Sequence, residues 1–144
     1  WWSVRSGMER GGVENGPWST NENIGSTAAG AYLRAGIAVG GLLALNRSET
    51  IYYTAVHDSD GAPLDSSCVY AVEGTDPAAR WWSVTAYGAD HFLIPNPRKR
   101  YAVGRTDVVR DADGRFSILV GGPPQASNWL ASGKPGERFS LTLR

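Results

Sequence analysis

From Ile51 onward the apolar residues of this chain alternate with polar ones in short runs, and turn residues cut every run off. A period of two sends successive side chains to opposite faces of a strand, so each run can bury one face and wet the other. Ile51–His57, Cys68–Glu73, Trp81–Tyr87, Tyr101–Val103, Phe116–Val120 and Phe139–Leu143 all read this way. Asp58–Gly61, Pro95–Pro97, Asp111–Gly114 and Pro123–Pro124 stand between them as turns and breaks. Short strands joined by Asp-Gly and Pro turns specify a mostly β fold, an antiparallel sandwich or barrel of at least six strands. The pattern also assigns faces. Cys68, Tyr70 and Val72 share one, and Trp82, Val84 and Ala86 lie opposite Ser83, Thr85 and Tyr87.

Before residue 46 the pattern differs. A helix is expected from Ser26 or Thr27, either of which can cap it, to about Leu45, with Asn46 as its C-terminal cap. It is apolar nearly all round and carries only Arg34 as a charge. A membrane span needs about 20 apolar residues. This run is shorter and contains Gly30, Gly36, Gly40 and Gly41, so it reads as a buried or half-buried helix packed against the sheets. Residues 1–25 show no period and read as an extended arm, followed by one domain over 26–144. The pair Trp1-Trp2 suits either packing on the domain or a bilayer interface just after an anchor.

Net charge is zero, from 14 basic and 14 acidic residues, which removes the electrostatic footprint of a general nucleic-acid binder. The local run Arg98-Lys99-Arg100 reads as a solvated loop. One cysteine, Cys68, excludes an internal disulfide and a multi-cysteine metal site, and its place in an alternating run reads as a small buried thiol. Asp58-x-Asp60-Gly61 and Asp111-x-Asp113-Gly114 resemble calcium loops only at first sight. An EF-hand needs Gly at its sixth position and Glu at its twelfth, whereas here Gly stands fourth and the twelfth residues are Val69 and Gly122. His57 and His91 lack a ligand spacing, and no phosphate loop, GxGxxG or GxSxG occurs. The reading includes no metal, no cofactor and no assigned catalytic residue.

The richest chemistry is aromatic and amide: Trp81, Trp82, Tyr87, Phe92, Asn96, Tyr101, Asn128 and Trp129. Amphipathic rings and amides can line a ligand groove. Trp82 belongs to the apolar face and is expected in the core. Tyr87 shares its face with Ser83 and Thr85, and with Asn96, Asn128, Trp129 and Tyr53 it forms the candidate ligand-binding set.

These same residues carry a family resemblance. Asn46-Arg47-Ser48-Glu49-Thr50-Ile51-Tyr52-Tyr53 and Asp60-Gly61-x-Pro63-Leu64-Asp65 with Tyr70 come first. Trp82-Ser83-Val84-Thr85-x-Tyr87, Phe92–Pro97, Arg100-Tyr101, Asn128-Trp129-Leu130 and Phe139–Arg144 follow in order. Over residues 18–144 the chain resembles the bacterial domain of unknown function 1214. It departs from that family's pattern where a Gly is usual near Ser66 and an acidic residue near Gly88. The resemblance implies a jelly-roll-like β-sandwich and resembles the short members that carry an N-terminal membrane anchor. It implies a place on the periplasmic side of the cell envelope, and it implies no activity. The sequence is therefore read as an envelope binding or accessory module for a small molecule, a glycan or a partner protein. An envelope hydrolase and a purely structural module are the alternatives. Nucleic acid is not an expected partner, and a membrane enters only through an anchor preceding Trp1.

Overall fold

The computed structural model describes residues 13–20, 24, 26, 29–39, 45 and 48–144, and most of its regular structure is β-strand. The chain divides into two units, Trp1–Tyr53 and Thr54–Arg144.

In the first unit β1 (Val13–Asn15) and β2 (Trp18–Thr20) form an antiparallel hairpin with Asn15 opposite Trp18. The hairpin lies within the segment 1–25 read from the sequence as an extended arm. Gly16 supplies a φ of 59°, and Pro17 locks the negative φ that follows it in a two-residue II′ turn. Three-residue strands are too short to show a period. Helix α1 spans Ala31–Val39 and starts later than expected. Ala29 N–H closes a single turn onto the Ser26 carbonyl, while residues 29 and 30 are not helical. Leu33 and Ile37, one turn apart, are buried with Ala29 against Ile24, whereas Tyr32 is exposed. The helix is thus half-buried. The expected cap Asn46 and the residues Trp1, Trp2, Thr27 and Gly40 lie outside the described residues. No helix among those residues is long and apolar enough to cross a membrane.

The second unit carries two sheets. In one, β3 (Tyr53–Ala55), β9 (Phe139–Leu143), β5 (Ser83–Gly88) and β6 (Ala102–Gly104) are neighbours in that order. Tyr53, the last residue of the first unit, begins the strand β3. β5 runs antiparallel to β9, with Ala86 opposite Leu141, and to β6, with Val84 opposite Val103. The other is β4 (Tyr70–Thr75), β7 (Arg115–Val120) and β8 (Trp129–Leu130). β4 and β7 are antiparallel, with Val72 opposite Ile118, while β8 runs parallel to β7.

The alternation places the apolar side chains of β5, β7 and β9 as expected, although Ser83, expected on the polar face of β5, is buried as well. Trp82, Val84, Ala86, Leu141 and Phe139 are buried, as are Ile118 and Val120 on β7. Trp82 stacks on Phe116 at 4.8 Å between ring centroids, and Tyr70 of β4 meets Phe139 of β9 edge-on at 5.6 Å. Gly74 permits the approach of Phe116, and Gly104 permits the close pairing of β6 with β5. A Cβ on Gly74 would lie 3.3 Å from the Phe116 ring, and one on Gly104 would lie 2.5 Å from the Trp82 carbonyl, a clash with backbone.

Strand limits were read too generously at three places. Only Tyr53–Ala55 of Ile51–His57 is strand, because the Asp58 carboxylate takes the N–H groups of Asp60 and Ala62 and turns the chain. Cys68 is exposed, not buried: Asp65 accepts from Ser67 N–H, Cys68 N–H closes the turn onto the Asp65 carbonyl, and β4 begins at Tyr70. Trp81 precedes β5 and is exposed under the Arg144 guanidinium, 5.0 Å from its ring.

Trp82 is 1% exposed. Trp82→Ala is expected to cost about 3–5 kcal/mol in urea unfolding, as a core truncation does; a loss under about 1 kcal/mol would contradict this packing.

Candidate functional site

A buried indole N–H needs an acceptor, and the Trp82 Nε1–H donates to Asp76 Oδ1 at 2.9 Å. The same oxygen accepts from Arg110 Nη2 at 2.7 Å. Arg110 also donates through Nη2 to the Arg105 carbonyl and through Nη1 to the Val108 carbonyl. Arg105 in turn donates from Nη1 to the Ala79 carbonyl. One carboxylate thereby fastens the β4–β5 connection to the segment between β6 and β7. The Arg110 hydrogen bond, seconded by Trp82 and by the positive charge of Arg110 and Arg105, holds the Asp76 carboxyl below the usual carboxylate range against a smaller opposing effect of burial.

The segment so fastened forms a wall. Val109, Arg110 and Asp111 face Glu73 of β4 and Arg115, Phe116 and Ser117 of β7 across an open groove of about 430 Å³, with Asn128 at its side. Period two explains the floor: Glu73 stands opposite Ser117 on the outer face of the β4–β7 pair, and Arg115 is the diagonal neighbour of Glu73. Neither the Glu73 carboxylate nor the Arg115 guanidinium has a partner among the described residues. Asp111 uses one carboxylate oxygen to accept from Asp113 and Arg115 N–H, which shapes the turn at the groove's end. Arg110 Nε is buried without a hydrogen-bond partner among the described residues.

Of the five residues expected to bind a ligand, only Asn128 lines this groove. Its side chain is occupied: Oδ1 accepts from Val109 N–H at 2.7 Å, and Nδ2 donates to the carbonyls of Val109 and Ser117. A φ of 44° aims it there. Asn128 therefore pins the wall to the floor. Trp129 is 3% exposed and donates from Nε1 to the Gly121 carbonyl at 2.9 Å. Asn96 is spent within its own loop, accepting from Arg100 N–H and donating to the carbonyls of Ile94 and Arg100. Tyr87 and Tyr53 are half-buried on β5 and β3, Tyr87 paired with Ser140 on one side and bridged to Leu93 on the other. The sequence reading missed Glu73, Arg110, Arg115 and Ser117. Alternation marked the outer positions of β4 and β7, but the register joining them is not visible in either strand alone.

Among the described residues no three His, Cys, Asp or Glu side chains are grouped to hold a metal ion. The two Asp-Gly turns spend a carboxylate oxygen each on backbone N–H groups.

Fold and groove together define a mostly-β domain of two sheets, with an open, mixed-charge groove on the outer face of the smaller one. The chain belongs to the family described as "Protein of unknown function (DUF1214)", whose sequence pattern it matches over residues 49–144. No curated protein matches it. Among solved structures it is similar to the VPA0106 protein from Vibrio parahaemolyticus, at 27% identity and a TM-score of 0.65 over 81% of this chain. It shares its fold with an uncharacterised protein from Burkholderia cenocepacia, at 18% identity and a TM-score of 0.52 over 97% of this chain. The chain spans 30% and 34% of the lengths of those two proteins.

A carboxyl held low stabilises the fold while ionised. The Asp76 contribution is therefore complete above the ordinary carboxylate range and is lost as pH falls through its lowered value. Asp65 behaves likewise, held low first by Ser67 N–H and then by the Ser67 hydroxyl and Arg138. Between about pH 5 and pH 2, Asp76→Asn should flatten the fall in melting temperature without abolishing it. An unchanged acid slope would contradict the ion pair.

Proposed function

We propose that this domain is a binding module and that the groove between β4–β7 and the 109–111 wall is its ligand site. The observation that carries this reading is the closeness of two unpartnered, opposite charges on the groove floor, Glu73 and Arg115, beside an apolar flank from Val109. A carboxylate accepts, a guanidinium donates in a planar fork, and the Ser117 hydroxyl does both. Such a set matches a ligand dense in hydroxyls and carrying one apolar face, so the ligand class is a saccharide. Supporting it, the site is built rather than incidental: Asn128 and Arg110 fix the wall by side-chain bonds to backbone.

The finer architecture belongs to the same proposal. The contacts of Trp82 with Phe116 and of Tyr70 with Phe139 support two sheets packed face to face as a jelly-roll-like sandwich. We propose that the domain acts at the cell envelope, a placement supported by the family resemblance and tested by fractionation of the full gene product.

A thermal-shift panel of neutral, amino and acidic mono- and oligosaccharides at millimolar concentration tests the binding site. At least one sugar should raise the melting temperature, and Glu73→Gln and Arg115→Gln should each abolish the rise. Both variants should keep the unliganded stability within about 0.5 kcal/mol, as exposed substitutions do. A rise that survives both substitutions would place the site elsewhere, and no rise with any sugar would refute the saccharide reading.

A further inference from the structure

The connection from β5 to β6 contains two rigid turns at one corner of the larger sheet. Register fixes their closeness. Thr85 is paired with Ala102 and Tyr87 is bridged to Leu93, so residues 94–101 leave and rejoin the sheet edge within two positions of β5, about 7 Å. The turn at the end of β5 lies immediately beyond.

That first turn is tied at three points. Gly88 N–H donates to the Phe92 carbonyl, His91 N–H to the Gly88 carbonyl, and Phe92 N–H to Asp90 Oδ1. His91 takes a φ of 65°, in the left-handed region that non-glycine residues rarely occupy. The outcome is a Phe92 ring 73% exposed, with Leu93 beside it 45% exposed. These bonds fix the backbone that carries the ring. The second turn is built alike. Asn96 clamps it from Ile94 to Arg100, and Lys99 carries a φ of 51°. Arg98 and Lys99 are exposed on it with no side-chain partner among the described residues, while Arg100 faces Asp107 at 3.9 Å. Asp90 of the first turn accepts from Phe92 N–H through Oδ1.

We infer that this corner is a docking surface for an anionic lipid bilayer, with Phe92 and Leu93 entering the headgroup boundary and Arg98 and Lys99 meeting its negative charge. An exposed ring and two unpaired cations on successive turns of one connection have the chemistry of an interfacial contact, combining apolar insertion with attraction to acidic lipid. A protein partner would want a broader patch, about 800 Å² on each side. The surface is separate from the groove and does not depend on the saccharide reading. Asn96 is here a positioning residue that presents the two cations.

Co-sedimentation of the whole chain with vesicles tests it, comparing phosphatidylcholine alone with phosphatidylcholine containing a quarter phosphatidylglycerol. Binding should require the anionic lipid and weaken as salt rises. Arg98→Gln and Lys99→Gln should each weaken it about fivefold and Phe92→Ala about tenfold, all without change in melting temperature. Phe92→Trp should retain it, since an indole suits the same boundary. No binding to anionic vesicles, equal binding to both compositions, or insensitivity to Phe92→Ala would each overturn the inference. Concentration-dependent self-association abolished by Phe92→Ala, with no vesicle binding, would assign the corner to a second copy of the chain instead.

Discussion

One carboxylate oxygen carries much of the second unit. Among the described residues Trp82 is the largest fully buried side chain, and its indole N–H would cost about 1–3 kcal/mol if buried without an acceptor. Asp76 meets it and is itself kept ionised by Arg110. An ion pair on this surface would by itself contribute little. Here it also secures the acceptor on which a buried ring depends, and that ring supports Phe116 on the other sheet. The Arg110 bonds to Arg105 and Val108 extend the same tie along the β6–β7 connection.

The groove inherits its shape from this tie. Its wall is the chain held by Arg110 at one side and by Asn128 at the other, and its floor is the outer face of β4 and β7. Phe116 joins the two, its ring stacked on Trp82 and its chain neighbours Arg115 and Ser117 forming the groove floor. Gly74 is the concession that lets that ring lie where it does. Core packing and site geometry are therefore one problem in this domain: loosening Trp82 or Asp76 displaces the wall that opposes Glu73 and Arg115.

The sequence disclosed faces better than it disclosed neighbours. The alternation Trp82, Val84, Ala86 and the run Phe139–Leu143 were legible because period two is a local property, and both are buried as the pattern required. β1 and β2 were not legible, being three residues each on a Gly-Pro turn, and β8, only Trp129–Leu130, is strand because it finds β7. Cys68 misled because a turn chain, Asp65 to Cys68, competes successfully with an apolar-polar pattern that suggested strand. The site was the least legible part. Amides were expected to meet a ligand, yet Asn96 and Asn128 hold backbone, and nothing in a single strand reveals that Glu73 and Arg115 become diagonal neighbours.

Hydrogen exchange at the Trp82 indole N–H, followed by NMR and assigned by its loss in Trp82→Phe, probes the central tie most directly. If Asp76 is the acceptor that lets this ring stay buried, the proton exchanges only through global unfolding in the wild type. In Asp76→Ala it should then exchange far faster, outrunning the backbone amides of β5. Equal protection of the indole proton in both proteins would contradict the account.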